Sequence, residues 1–197
     1  MDAIFGNPTI GVVDTVSGHP PTIVYPEEIV TDTANRFLGV SSPPRTYTLT
    51  PTVTILHGHL RLSALFDHEA GAVLLDDYRL NCISNRLCLA PFLASTPPLE
   101  QAKYLARNPS DFYIPGDFTR WREVNATFDI PPRFLAIDAL HLRFSHASVS
   151  VQGRNLALWT RYTGTDPESR IGPYATDGQV GGIPQARAWS FRCDLTP

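Results

Sequence analysis

Period-two alternation of apolar and polar positions begins abruptly at Arg45. Tyr47, Leu49, Val53 and Ile55 alternate with Thr46, Thr48, Thr50, Thr52 and Thr54, interrupted only by Pro51. Alternation with β-branched residues on both faces predicts a strand over 45–55. His57-Gly58 can make a tight turn. Beyond it Leu60, Leu62, Ala64 and Phe66 fall on one face against His59, Arg61, Ser63 and Asp67 on the other, which completes a β-hairpin. Glu69-Ala70-Gly71 predicts the next turn and residues 72–80 a third strand, weakened by Asp76 and Asp77. Residues 118–130 alternate again, Val124, Ala126 and Phe128 against Glu123, Asn125 and Thr127, until Pro131-Pro132 stops them. Within 140–154 two runs disagree in phase, Leu142 and Phe144 against Val149 and Val151, so a bulge or turn is expected near residues 145–148. The last segment is the cleanest: Trp189, Phe191, Cys193 and Leu195 share one face, and Ala188, Ser190, Arg192, Asp194 and Thr196 the other.

The remaining stretches lack this period. Residues 1–44 are rich in Gly, Pro, Asp and Thr and predict a loop-rich segment with a possible strand. Residues 81–117 show no sustained alternation, but Pro98-Leu99-Glu100-Gln101-Ala102-Lys103-Tyr104-Leu105-Ala106 sets good helix formers behind a proline, predicting one short helix inside a long loop. The expectation is all-β: about seven strands of roughly 8–12 residues in an antiparallel meander with connections of very unequal length. Short turns alternating with long loops suit a transmembrane β-barrel. A soluble β-sandwich is the alternative, because alternation does not distinguish a core-facing row from a lipid-facing one.

Composition narrows this. With 43% hydrophobic and 18% charged residues the 197-residue chain is globular rather than disordered, and 18 prolines with 13 glycines favour turns over long helices. A formal net charge of −3 argues against a nucleic-acid partner. No apolar run approaches the length of a transmembrane helix, and Met1-Asp2-Ala3-Ile4 does not resemble a signal peptide, so a fragment or misassigned start is expected. Cys82, Cys88 and Cys193 form an odd set without a CxxC pair and read as unpaired thiols, with a Cys82–Cys88 bridge as the alternative.

Five segments carry a family resemblance. Gly153-Arg154-Asn155-Leu156, followed by Trp159-Thr160-Arg161-Tyr162-Thr163-Gly164-Thr165-Asp166-Pro167-Glu168, closely resembles the segment near the end of TonB-dependent outer-membrane receptors of the SusC/RagA type. Pro184-Gln185-Ala186-Arg187 is similar to the opening of that family's final barrel strand, and Phe118-Thr119-Arg120-Trp121-Arg122-Glu123-Val124 to an earlier strand. Phe37-Leu38-Gly39-Val40 with Pro43-Pro44, and Leu60-Arg61-Leu62-Ser63 with Phe66-Asp67, resemble two further segments in the family's order. The resemblance implies the C-terminal part of a transmembrane β-barrel, incomplete by itself, with residues 45–197 as the final strands and extracellular loops. It also implies uptake of a large nutrient, an oligosaccharide or peptide, across the cell outer membrane. The implied partners are the remainder of the barrel and plug, a SusD-like lipoprotein, TonB, the nutrient and outer-membrane lipid. Family members end on an aromatic residue where this chain has Pro197. Nothing resembles a plug or TonB box.

Candidate chemistry is sparse. No nucleophile elbow, phosphate-binding glycine loop or His-Glu-x-x-His is present, so no enzyme, cofactor or metal is expected. His57 and His59 would share a strand face if the strand ran through Gly58, but a polar lumen-facing row explains them. The candidate ligand-binding residues are Trp159, Tyr162, Asp166 and Glu168: two rings that can stack on a sugar or peptide and two carboxylates in a Gly- and Pro-containing loop. The same residues could instead form an aromatic girdle and hold the loop's shape.

Overall fold

The computed structural model describes residues 3–13, 24–85, 87–89, 93, 95–137, 142–164, 166–168 and 184–196. The chain divides into two units, one of Thr46–His68, Phe118–Trp159 and Gln185–Pro197 and one of Met1–Arg45, Glu69–Asp117 and Thr160–Pro184. We call them the sheet unit and the loop unit.

The loop unit begins with β1 (Ala3–Gly6), β2 (Thr9–Val12), β3 (Ile29–Thr31) and β4 (Arg36–Val40). β1 pairs antiparallel with β4, and β2 with β3. The expected single strand is therefore four, each of three to five residues and too short for a legible period. The sheet unit takes over with β5 (Arg45–Leu49) and β6 (Thr52–Ile55), divided where Pro51 was expected to interrupt. β7 (Leu60–Ala70) returns after a 3-10 turn, Leu56–Gly58. Leu56 and His57 there take left-handed φ of 52° and 55°, and Gly58 follows at 97°. The strand does not run through Gly58, so His57 and His59 are turn residues rather than one strand face.

The third strand expected over 72–80 is cut short. Only β8 (Val73–Leu75) is extended, and α1 (Asp77–Ser84) follows. The buried Asp76 caps this helix, its Oδ1 accepting from Arg79 N at 3.1 Å. A local cap thus overrides the apolar run before it. The helix expected over 98–106 is α2 (Pro98–Ala106), so the described residues hold two α-helices rather than one. Proline suits its first turn, where a missing N–H costs nothing, and Arg107 closes it in left-handed φ. β9 (Tyr113–Pro115) pairs antiparallel with β8.

β10 (Phe118–Asp129) then crosses the sheet. The short β11 (Ala136–Ile137) and β12 (Leu142–Arg143) pair with each other, β13 (His146–Thr160) is the longest strand, and β14 (Ala188–Thr196) is the last. The phase break between Leu142 and Val149 falls at Phe144-Ser145, the early edge of its expected place. Residues 140–141, at the start of the run expected over 140–154, and Pro197, at the family's aromatic position, lie outside the described residues.

β14, β13, β10, β7 and β5 are neighbours in that order, with β6 also on β7. Strand order follows chain order, an up-and-down meander in which β5 and β6 together make one interrupted strand beside β7. The register is antiparallel from Thr52↔Ser63 to Ile55↔Leu60 and from His146↔Thr196 to Arg154↔Ala188. Contacts between β7 and β10 count in opposite directions too: Phe66 stacks on Trp121 at 5.5 Å, and Asp129 N donates to His59 O at 2.8 Å.

Both faces of β5, β6 and β14 are open, and it is chemistry rather than burial that separates the sheet's two faces. Tyr47, Leu49, Val53, Ile55, Leu62, Val149, Phe191 and Leu195 are all exposed, Phe191 by 77%. Val149 lies opposite Cys193 and Val151 opposite Phe191, so the apolar row of β14 continues onto β13. On the polar rows Thr48 Oγ1 donates to Asp67 at 2.7 Å, Arg122 pairs with the same carboxylate, and Glu123 meets Arg154 at 3.4 Å and Gln152 at 3.3 Å. Polar side chains link to each other across strands while large apolar ones face outward.

In the loop unit, Val24, Ala70, Ala72, Ile83, Ala102 and Phe112 are buried. Asp111 accepts from both Thr9 N and Thr9 Oγ1 at 2.6 Å, and the buried Gln101 donates to Thr96 O at 2.8 Å. The carboxyl of Asp32 is held below its ordinary range, chiefly by the Ala34 backbone N–H at 3.0 Å and then by the Arg36 guanidinium. Cys82 and Cys88 are joined, Cα to Cα 5.2 Å, which overturns the expectation of three unpaired thiols. The six-residue spacing permits this bridge, but nothing in spacing alone requires it. Cys193 stays a free, exposed thiol.

Candidate functional site

The segment from Gly153 to Glu168 falls in both units, and its special residues have local reasons. In the sheet unit Gly153 lies under the Trp189 ring, where a Cβ would come within 2.8 Å of ring carbon. Asn155 takes left-handed φ at 53°, a conformation Asn tolerates better than most residues, and its Nδ2 donates to Ala186 O at 3.1 Å. Arg187 donates to Leu156 O at 2.6 Å. The sequence Gly-Arg-Asn-Leu thus docks the start of β14 and its lead-in against β13. Trp159, near the end of β13, is 53% exposed.

In the loop unit Tyr162 Oη donates to Leu75 O at 3.0 Å, and Thr163 Oγ1 donates to Asp76, the cap of α1. Gly164 packs on the Tyr162 ring, leaving no room for a Cβ. Asp166 is buried and its Oδ1 accepts from Glu168 N at 2.9 Å, with Pro167 fully buried between them. Of the four expected site residues, Tyr162, Asp166 and Glu168 share the loop unit and Trp159 belongs to the sheet unit. Tyr162 and Asp166 spend polar atoms on holding the loop, while Trp159 offers an open ring.

A feature without a periodic signal lies in the loop unit: a half-open cleft of about 370 Å³ lined by Tyr78, Arg79, Leu87, Leu89, Tyr104 and the Cys82–Cys88 bridge. Only the close pair of cysteines pointed toward it. In the sheet unit Tyr47 stacks on His68 at 6.0 Å and His68 Nδ1 lies 2.9 Å from Thr119 Oγ1, giving an aromatic cluster with Phe66 and Trp121.

No family model matches the sequence, and none of the curated proteins matches it. Solved structures do. The RagAB peptide importer in its "open-open" state superposes over 98% of this chain with a TM-score of 0.61 at 15% identity. The chain shares its fold with a segment of that importer. A further structure of the RagAB peptide transporter gives 0.61 at 18% identity, and the importer in its "closed-closed" state 0.64 at 17%, each over 98% of this chain. The chain spans only 22–23% of the RagAB chains it matches. The likeness fixes the architecture as an all-β, partial-barrel meander with long loops. Among the described residues no helix is long and apolar enough to cross a membrane, a criterion that does not bear on crossing by strands.

Proposed function

We propose that this chain supplies the C-terminal strands and outer loops of a TonB-dependent outer-membrane importer of the SusC/RagA type, taking up a large nutrient such as an oligosaccharide or peptide. The observation that carries the reading is the sheet's inverted pattern: apolar rows exposed, polar rows cross-linked. A soluble sandwich would bury the rows that contain Leu49, Val53, Phe191 and Leu195 against a second sheet. A barrel turns such rows to lipid and keeps a polar lumen. Dimensions agree. The 11 residues of β7 extend roughly 37 Å at about 3.4 Å per residue, and a tilt near 40° brings this close to the ~25 Å apolar band of such barrels.

On this reading residues 45–197 are final strands and extracellular loops, and the outer edges of β14 and β5 pair with the remainder of the barrel. Trp159 is the platform for the nutrient, and Tyr162, Asp166 and Glu168 shape the loop that meets it. A SusD-like lipoprotein and TonB are the expected partners. A disulfide suits an exported location, where thiols oxidise.

Cys193 provides the test. A nitroxide attached there, with the chain assembled with the remainder of its barrel in lipid vesicles, should collide readily with oxygen and poorly with a water-soluble nickel chelate. The opposite preference would place the row containing Cys193 in water and overturn the reading.

A further inference from the structure

The short-turn end of the sheet unit carries a cleft that the transport reading leaves unused. It has a volume of about 370 Å³ and is lined by His57, His59, Pro131 and Arg133. Two turns build it. The left-handed pair Leu56 and His57 forms the turn into β7, with His59 N donating to Leu56 O at 3.1 Å. A 3-10 turn, Pro132–Phe134, follows β10, with Phe134 N donating to Pro131 O at 2.9 Å. The two are joined where His59 Nδ1 meets Asp129 O at 3.1 Å, a carbonyl that only accepts, so Nδ1 carries the hydrogen.

The chemistry around the cleft is two-sided. Arg133 is exposed and its guanidinium lies 4.8 Å from the centroid of the Phe134 ring. Phe134, whose ring meets Arg133, and Leu56, the residue before His57, are 62% and 56% exposed. The nearby acid, Asp129, sits 3.8 Å from His146 Nε2. Exposed apolar side chains beside a guanidinium are the arrangement of a membrane interface, where aliphatic and aromatic groups enter the acyl boundary and cations meet headgroups. Basic pockets at such a level bind anionic headgroups.

We infer that His57 and Arg133, with His59 holding the turn beside them, form a binding site for the phosphodiester headgroup of an anionic phospholipid, with Leu56 and Phe134 contacting its acyl chains. The inference rests on the membrane reading, because it places this end of the sheet at a bilayer rim. Arg133 supplies the permanent charge and a planar donor fork that fits two phosphate oxygens. His57 supplies a ring donor from the turn.

The test reconstitutes the chain, assembled with the remainder of its barrel, in vesicles of phosphatidylcholine with a minor share of phosphatidylglycerol and counts retained lipids by native mass spectrometry. Membrane insertion is followed separately by the Cys193 probe. The wild-type chain should retain phosphatidylglycerol over phosphatidylcholine on the order of five-fold, the scale of one arginine at an anionic surface. The double variant Arg133→Gln with His57→Asn should lose that preference while inserting normally, asparagine being chosen because it keeps the left-handed turn. Arg133→Lys alone should retain part of it. Insertion with equal retention of the two lipids, or a preference unchanged in the double variant, sinks the site and leaves the membrane reading standing. Failure of the assembled barrel to insert in either lipid sinks both, and the Cys193 probe distinguishes that outcome from the others.

Discussion

The sheet unit and the loop unit solve opposite problems. In the loop unit, polar groups that are buried have partners close in the chain or on an adjoining segment: Asp76 caps α1, Asp166 takes the Glu168 N–H, and Gln101 ties to the Thr96 carbonyl. Order there comes from satisfying backbone and carboxylate groups one at a time. In the sheet unit order comes from register, and the large apolar side chains of Phe191 and Leu49 gain nothing from the protein's own interior. On the importer reading proposed above, the two units answer to different solvents, water for one and lipid for the outer face of the other.

A charge in the outward row breaks that contrast most severely. Phe191→Arg should cost about 2–4 kcal/mol for the chain folded in vesicles, the penalty for arginine at mid-bilayer depth. Urea unfolding followed by tryptophan fluorescence measures it. A cost within about 0.5 kcal/mol, the range of an ordinary surface substitution, would mean that the row faces water. In the loop unit, opening the Cys82–Cys88 bridge should cost about 2 kcal/mol from loop-closure entropy alone. Mild reduction followed by limited proteolysis should then cut near Leu87 and Leu89 while leaving β13 and β14 intact. Asp76→Ala removes a helix cap and the acceptor for Thr163 together. It should cost roughly 1–2 kcal/mol and raise amide exchange across α1 without changing exchange in β7. The smallest effect concerns pH. Asp32 has a folded-state pKa below its unfolded one, so its contribution is present above the ordinary carboxylate range and is lost as pH falls through the depressed value. Asp32→Asn should flatten acid sensitivity slightly in the loop unit, read by exchange protection at Ala34.

What could be read from the sequence follows the same division. The run broken into β5 and β6, and strands β7, β10 and β14, were legible because apolar and polar residues alternate along each over many positions. The four strands between Ala3 and Val40 were not, since three to five residues cannot display a period. α1 was misread as strand because Val73-Leu74-Leu75 is an apolar run and its termination depends on one buried capping carboxylate. In the family-like segment around the candidate site, Asn155, Gly153 and Gly164 have packing explanations that spacing could not supply. Trp159 was legible as a ring and not as an exposed one.

Chain-order pairing has a consequence for how this architecture varies. Each strand of the sheet zips onto the one that precedes it, so the cost of forming a pairing is the entropy of closing the single connection between them. That entropy grows only logarithmically, about 0.6 kcal/mol for each doubling of length. The two longest connections, after β7 and after β13, can therefore lengthen, shorten or exchange their contents with little effect on the sheet. The meander acts as a chassis on which recognition loops are replaceable, and divergence among such chains should concentrate in those two connections.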